Sequence, residues 1–119
     1  MEDNVLFPNI ITNLPQADIP VEGLTSHLLQ CADHQVIFMS FEKNVEIAEH
    51  SHEAQWGVVL DGEIALTIKG EKQIYRKGDS YFIPKNVSHS AKIMAGCKDL
   101  TLFNQRDRYQ LKINGEQNI

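Results

Sequence analysis

Several things are scarce in this chain, and each scarcity closes a class of protein. Cysteine occurs only twice, at Cys31 and Cys97, far apart and in no CxxC pair, so a disulfide framework is not expected and both thiols should be reduced. No apolar run is long enough to span a bilayer, and the opening MEDNVLFPNI starts acidic, without a basic segment leading into an apolar stretch. Positive charge is thin. Eleven Lys and Arg stand against sixteen Asp and Glu, for a net charge of −5, and no stretch concentrates the basic residues. Neither nucleic acid nor an anionic membrane would find a footprint here. The expectation is a cytoplasmic protein whose partners are small molecules. Apolar residues at helical spacing are also almost missing, which leaves β-structure.

What is present is a series of short apolar or alternating runs cut by turn residues, the pattern of an all-β domain. Nine strands are expected: Leu24 to Cys31, Gln35 to Glu42, Val45 to Ala48, Gln55 to Leu60, Glu63 to Lys69, Lys72 to Arg76, Ser80 to Pro84, Ser88 to Met94 and Asp99 to Asn104. The punctuators between them include Asp33-His34, Lys43-Asn44, Lys69-Gly70-Glu71, Lys77-Gly78-Asp79 and Lys85-Asn86. Asp61-Gly62 is the clearest of them, because Asp-Gly accepts the positive φ angles of a two-residue hairpin turn, and it should join two antiparallel neighbours. Residues 1–22 carry Pro8, Pro15 and Pro20, each without a ladder donor, and read as an arm that packs along the barrel or crosses to a second subunit. The polar Asn114 to Asn118 reads as a frayed end. The length of 119 residues suits one domain, with its barrel over about 24–112.

Chemistry concentrates in Glu49-His50-Ser51-His52-Glu53-Ala54-Gln55-Trp56. Residues two apart on a strand share a face, so His50 and His52 can aim both imidazoles at one point. That is metal-ligand spacing, and His89 lies on a later strand able to pass beside them.

Around these histidines the sequence resembles the cupin superfamily, in its small single-domain form. The first cupin motif, G-x5-H-x-H-x(3,4)-E-x6-G, is followed by His50, His52 and Gly62, with Asn44 at the first glycine and Gln55 at the glutamate. The second, G-x5-P-x-G-x2-H-x3-N, is followed by Gly78, Pro84 and His89, with Asn86 at the second glycine and Ile93 at the final asparagine. Asn44 and Asn86 are mild substitutions, since asparagine tolerates left-handed backbone. The resemblance covers Asn44 to about Ile93 and implies a double-stranded β-helix, or jelly-roll barrel, assembled as a homodimer. It also implies one divalent metal ion (Zn, Ni, Mn or Fe) on His50, His52, Gln55 and His89.

Gln55 stands one residue closer to His52 than the motif has it, so a bend near Glu53-Ala54 must re-aim it, and Glu53 is a rival fourth donor. A set of three imidazoles and an amide leaves the ion's charge uncompensated. That suits polarising an oxygenated ligand better than iron-dependent oxygen chemistry, which pairs two histidines with a carboxylate. The same set is similar to that of a branch of small cupins that ketonise unsaturated uronates. Three readings follow: a metal-dependent isomerase or lyase for a small sugar acid or related oxygenated metabolite, a non-catalytic metal or metabolite sensor, and an iron-dependent dioxygenase. Proton-transfer candidates are Glu53, Tyr81 and Asp107. Trp56, Val58 and Leu60 alternate with Gln55, Gly57 and Val59, and Trp56 is expected to pack in or beneath the barrel. Tyr75 and Tyr81 read as packing residues, and His27 and His34 as structural or surface residues. The run from Arg106 to Arg108 reads as a solvated strand end, although either arginine, folded over the mouth, would attract a carboxylate.

Overall fold

The computed structural model describes residues 7–113. The start of the arm and the polar end over 114–118 lie outside the described residues. The strands are β1 (Leu24–Gln30), β2 (Gln35–Phe41), β3 (Val45–His50), β4 (Gln55–Asp61), β5 (Glu63–Ile68), β6 (Glu71–Arg76), β7 (Ser80–Ile83), β8 (His89–Ile93) and β9 (Lys98–Phe103). Each matches an expected strand to within two residues. A single helical turn, α1 (Asn9–Thr12), follows Pro8 in the arm. No helix among the described residues is long and apolar enough to cross a membrane.

The strands form two antiparallel sheets, ordered β1-β2-β9-β4-β7 and β3-β8-β5-β6. After the first hairpin the chain repeatedly crosses from one sheet to the other, which is the jelly-roll topology. Asp61-Gly62 therefore does not close a hairpin: it is a corner that carries the chain from β4 in one sheet to β5 in the other. The dipeptide specifies a positive φ, here 81° at Gly62, and a corner uses that as well as a hairpin does. The corner is also tight, since a Cβ on Gly62 would lie 2.7 Å from the Cys97 Cα. The two-residue hairpin turn falls instead at Lys69-Gly70, where φ is 52° and 81° and Ile68 pairs with Glu71. Asn86 is left-handed as expected, at φ 62°. Asn44 instead uses its side chain, accepting the Ala95 N–H at 2.8 Å.

Between the sheets lies a core of Phe41, Val45, Val59, Ile64, Leu66, Ile83 and Ile93, with Cys97 buried among them. Cys97 and Cys31 are both free thiols. A smaller cluster of Leu28, Ile37 and Phe103 is closed by Ala17 of the arm. The arm lies against its own barrel: Gln16 bridges to His27, Ala17 bridges to Leu111, and the His27 imidazole bonds the Leu14 carbonyl at 3.0 Å. His27 is thus a buried structural residue.

The faces of β4 are the reverse of the expected ones. Gly57 and Val59 are buried and share the inner face with Gln55, while Trp56 is 43% exposed on the outside. Both phases of this strand are apolar enough to serve as core, so alternation alone could not choose between them. Gly57 faces inward because Tyr81, its partner on β7, needs the space: a Cβ there would sit 2.3 Å from the phenol. Gly57→Ala should therefore displace the Tyr81 ring and lower stability by about 2–3 kcal/mol. Denaturant unfolding of the variant beside the wild type checks this.

Candidate metal centre

His50 ends β3 and His89 begins β8, and the two are directly paired across the ladder after a register shift between Ile47 and His50. His52 is not on that strand. It lies on the 51–54 connection that leaves one sheet for the other, so the convergence comes from a crossing rather than from strand alternation. Two hydrogen bonds hold the crossing: Asn86 N–H to the His52 carbonyl at 2.8 Å and Asn104 N–H to the Ala54 carbonyl at 2.9 Å. The ring centroids stand 5.1 Å (His50–His52), 4.4 Å (His50–His89) and 4.7 Å (His52–His89) apart.

Each Nδ1 faces a main-chain carbonyl: His50 to Ala48 at 2.9 Å, His52 to Glu53 at 2.7 Å and His89 to Val87 at 2.9 Å. A carbonyl only accepts, so Nδ1 carries the hydrogen in all three rings and Nε2 keeps its lone pair. One nitrogen from each ring falls within 4.8 Å of the others. Burial, with smaller contributions from the Arg108 charge and the other two histidines, lowers His52 to about 4 despite its bond to the Glu53 carbonyl. Burial likewise lowers His89. Both are neutral near pH 7, the form in which imidazole binds metal. This donor set fits a divalent ion, and the three histidines can hold one.

Beneath them is a chamber of about 90 Å³ lined by His50, His89, Gln55, Tyr81 and Asp99 among apolar side chains. The bend expected near Glu53-Ala54 is the sheet crossing itself, and it brings Gln55 inward. Gln55 Nε2 donates to Thr101 Oγ1 at 2.9 Å, and Thr101 passes its own proton to the Trp56 carbonyl at 3.1 Å. Thr101 must therefore accept from the Gln55 amide, which orients that side chain. Glu53 points elsewhere: its carboxylate is 3.5 Å from Lys85 Nζ and does not join the histidine cluster. Asp107 is exposed, taking a 3.2 Å bond from Gln105, so of the three proton-transfer candidates only Tyr81 lines the chamber.

Arg108 is no solvated strand end. Its guanidinium stacks 4.4 Å over Tyr109 and 5.6 Å from Phe103, whose ring meets His52 edge-on at 5.3 Å. Its Nε is buried without a hydrogen-bond partner, and its charge reaches His52 and His89. The sequence names Arg108 as one of two arginines able to fold over the mouth, whereas Asp99 is a residue that it does not single out. Both of its carboxylate oxygens accept from the Tyr81 hydroxyl, at 3.0 and 2.9 Å. Burial pushes Asp99 up to about 7 even though the Tyr81 bond opposes the rise. Burial, then the Asp99 charge, pushes Tyr81 well above the ordinary tyrosine range. In Asp99-Leu100-Thr101-Leu102-Phe103 the two leucines look like the core phase, yet Asp99, Thr101 and Phe103 are the buried ones.

A cupin-domain family model matches residues 37–104, a span that includes all three histidines, Gln55 and Asp99. The chain belongs to the cupin family. Among solved structures, it is similar to an RmlC-like cupin from Shewanella frigidimarina at 23% identity and TM-score 0.70, over 91% of this chain and 94% of that one. KdgF from a Halomonas species is similar at 21% identity and TM-score 0.69, over 87% and 96%. Bacillus subtilis oxalate decarboxylase, described with Mn(II) centers, is similar at 18% identity and TM-score 0.66, over 82% of this chain but 29% of that one. No curated protein matches. These likenesses establish the cupin barrel.

Asp99 gives the cupin core a distinctive pH response. Its folded pKa lies above the unfolded value of 3.8, so its contribution to stability is full below about pH 4 and is lost as pH rises through about 7. The lowered His52 and His89 act oppositely, adding stability as pH rises toward 6.5. The difference between wild type and Asp99→Asn isolates the carboxyl. The variant should gain on the wild type by on the order of 4 kcal/mol between pH 4 and 7.5, read from unfolding free energies at each pH.

Proposed function

We propose that this cupin is a metal-dependent isomerase or lyase acting on a small sugar acid or a related oxygenated metabolite. The observation that carries the reading is the buried, unpartnered Nε of Arg108 set beside three histidines, none of which can bring a negative charge. Three imidazoles cancel none of a divalent ion's charge, and the guanidinium adds another positive charge next to them. An anionic ligand answers both.

In this reading His50, His52 and His89 would hold the ion through Nε2. Gln55 would complete the set through Oε1, the amide atom left free when Nε2 is committed to Thr101. When bound, the ion supplies Lewis acidity to a hydroxyl or carbonyl oxygen. Arg108 orients the substrate carboxylate. The Tyr81–Asp99 pair, at the chamber wall, holds a proton up to about neutral pH, which makes it the best-placed proton store among the described residues. The absence of a carboxylate from the ligand set weighs against a dioxygenase. The similarity in fold to a decarboxylase described with Mn(II) centers fits a small, oxygen-rich acid. Free thiols at Cys31 and Cys97 suit a cytoplasmic setting.

The test combines metal analysis of the purified protein with a screen of unsaturated uronates and keto sugars, with and without chelator. One equivalent of metal and chelator-sensitive turnover are expected. His50→Ala should cost about 10–100-fold in metal affinity, while Arg108→Gln should keep the metal and raise KM at least about tenfold. Turnover that survives both chelation and His50→Ala contradicts the proposal. Full metal occupancy with no turnover on any of these acids would favour a sensing role instead.

A further inference from the structure

Gln35, the first residue of β2, is buried at 1% exposure, and both of its polar side-chain atoms bond the segment that carries Arg108. It belongs to a row that crosses the five-stranded sheet at the end nearest the 51–54 crossing: Gln30 beside Gln35, Gln35 beside Phe103, and Phe103 beside Gln55. Residues paired in such a row share a face, so Gln35 lies on the inner side with Phe103 and Gln55. Its buried neighbours on that face, Phe103 beside it and Ile37 two residues on, are apolar. An amide buried there is unfavourable unless its groups are bonded.

Those bonds run to Tyr109 and Gln30. Gln35 Nε2 donates to the Tyr109 carbonyl and to Gln30 Oε1, each at 2.9 Å, while Gln35 Oε1 accepts the Tyr109 N–H at 3.0 Å. The amide thus pairs with both main-chain groups of Tyr109, as the backbone of a neighbouring strand would. Gln30 Nε2 in turn donates to the Arg106 carbonyl at 2.9 Å. Main-chain bonds anchor the segment before and after these contacts: Asn104 N–H to the Ala54 carbonyl on one side, Asp18 N–H to the Gln110 carbonyl and Lys112 N–H to the Gln16 carbonyl on the other. Between those anchors, two glutamine side chains hold the main chain of Arg106 and Tyr109.

Tyr109 is the surface on which Arg108 rests. The guanidinium lies 4.4 Å from the Tyr109 ring, which meets Phe103 edge-on at 5.7 Å, and Phe103 meets His52 at 5.3 Å. Holding the Tyr109 main chain by both of its groups therefore holds the guanidinium at the flank of the histidines. A long arginine side chain left to move would lose more entropy on meeting an anion.

We infer that Gln35, braced by Gln30, is a positioning residue that holds Arg108, through Tyr109, where its guanidinium meets a carboxylate at the histidine site. The assignment rests on the carboxylate-binding role proposed above for Arg108. A glutamine that only closed the small core cluster would affect every ligand alike. One that acts through Arg108 affects anions alone.

The probes are glycolate and its uncharged counterpart glycolamide, titrated into protein loaded with Co(II) and followed by the visible absorption of the ion. Arg108→Gln should weaken glycolate about tenfold. Gln35→Met, close in size but without an amide, should weaken it about fivefold with Arg108 in place and less than about twofold in the Arg108→Gln background, because effects that pass through one group do not add. Glycolamide affinity and cobalt content should not change. Gln30→Leu, at an exposed position, should repeat the pattern at about threefold, which keeps the test open if Gln35→Met does not fold. The inference is overturned if both glutamine variants keep full glycolate affinity while Arg108→Gln loses it. Equal losses in the two backgrounds, or equal losses for glycolate and glycolamide, overturn it too and leave Gln35 a packing residue. If Arg108→Gln itself leaves glycolate binding unchanged, the carboxylate role of Arg108 fails first and the inference falls with it.

Discussion

The site rests on one repeated contact, an imidazole Nδ1–H held by a main-chain carbonyl one or two residues away. Ala48 holds His50, Glu53 holds His52 and Val87 holds His89. Because each ring is oriented by its own stretch of backbone, the barrel has only to bring three short segments to the same end. It does so with the β3–β8 ladder, which pairs His50 with His89, and with the 51–54 crossing, which delivers His52. Such outer bonds fix the tautomer and ring direction that ligation needs.

Around that arrangement Gln55, Thr101, Tyr81 and Asp99 each find a polar partner in the interior. Thr101 has a single proton and gives it to the Trp56 carbonyl, so it can only accept from Gln55. One layer deeper, the Tyr81 hydroxyl shares its one proton between the two oxygens of Asp99. These groups occupy inward positions that a jelly roll ordinarily gives to apolar side chains, and each has a partner, as burial demands. Gly57 belongs with them, because only a residue without Cβ leaves room for the Tyr81 ring. The site thus sets the local sequence of β4, β7 and β9 as strongly as packing does.

Strand positions were legible in the sequence because turn residues bracket every run, and the histidines because paired spacing and the two cupin motifs mark them. What was not legible came from period-2 patterns with two apolar phases. Trp56 is expected in or beneath the barrel and lies outside; on β9 Leu100 and Leu102 form the more apolar phase, yet Asp99 and Thr101 are the residues that lie inside. Asp61-Gly62 announced a positive φ but not whether the turn would close a hairpin or cross to the other sheet, since topology is not a local property. Arg108 read as one charge in a polar run, and only the position of Phe103 and Tyr109 beneath its guanidinium reveals its place beside the histidines.

The central claim is that three Nε2 atoms converge on one divalent ion. Its most direct measurement is the anomalous diffraction signal of crystals of the protein loaded with Zn, Ni or Mn. The account predicts a single peak enclosed by His50, His52 and His89, bonded to the Nε2 of each while Nδ1 stays on its carbonyl. Anomalous peaks only at surface carboxylates or at Cys31, or ligation through Nδ1, would contradict it.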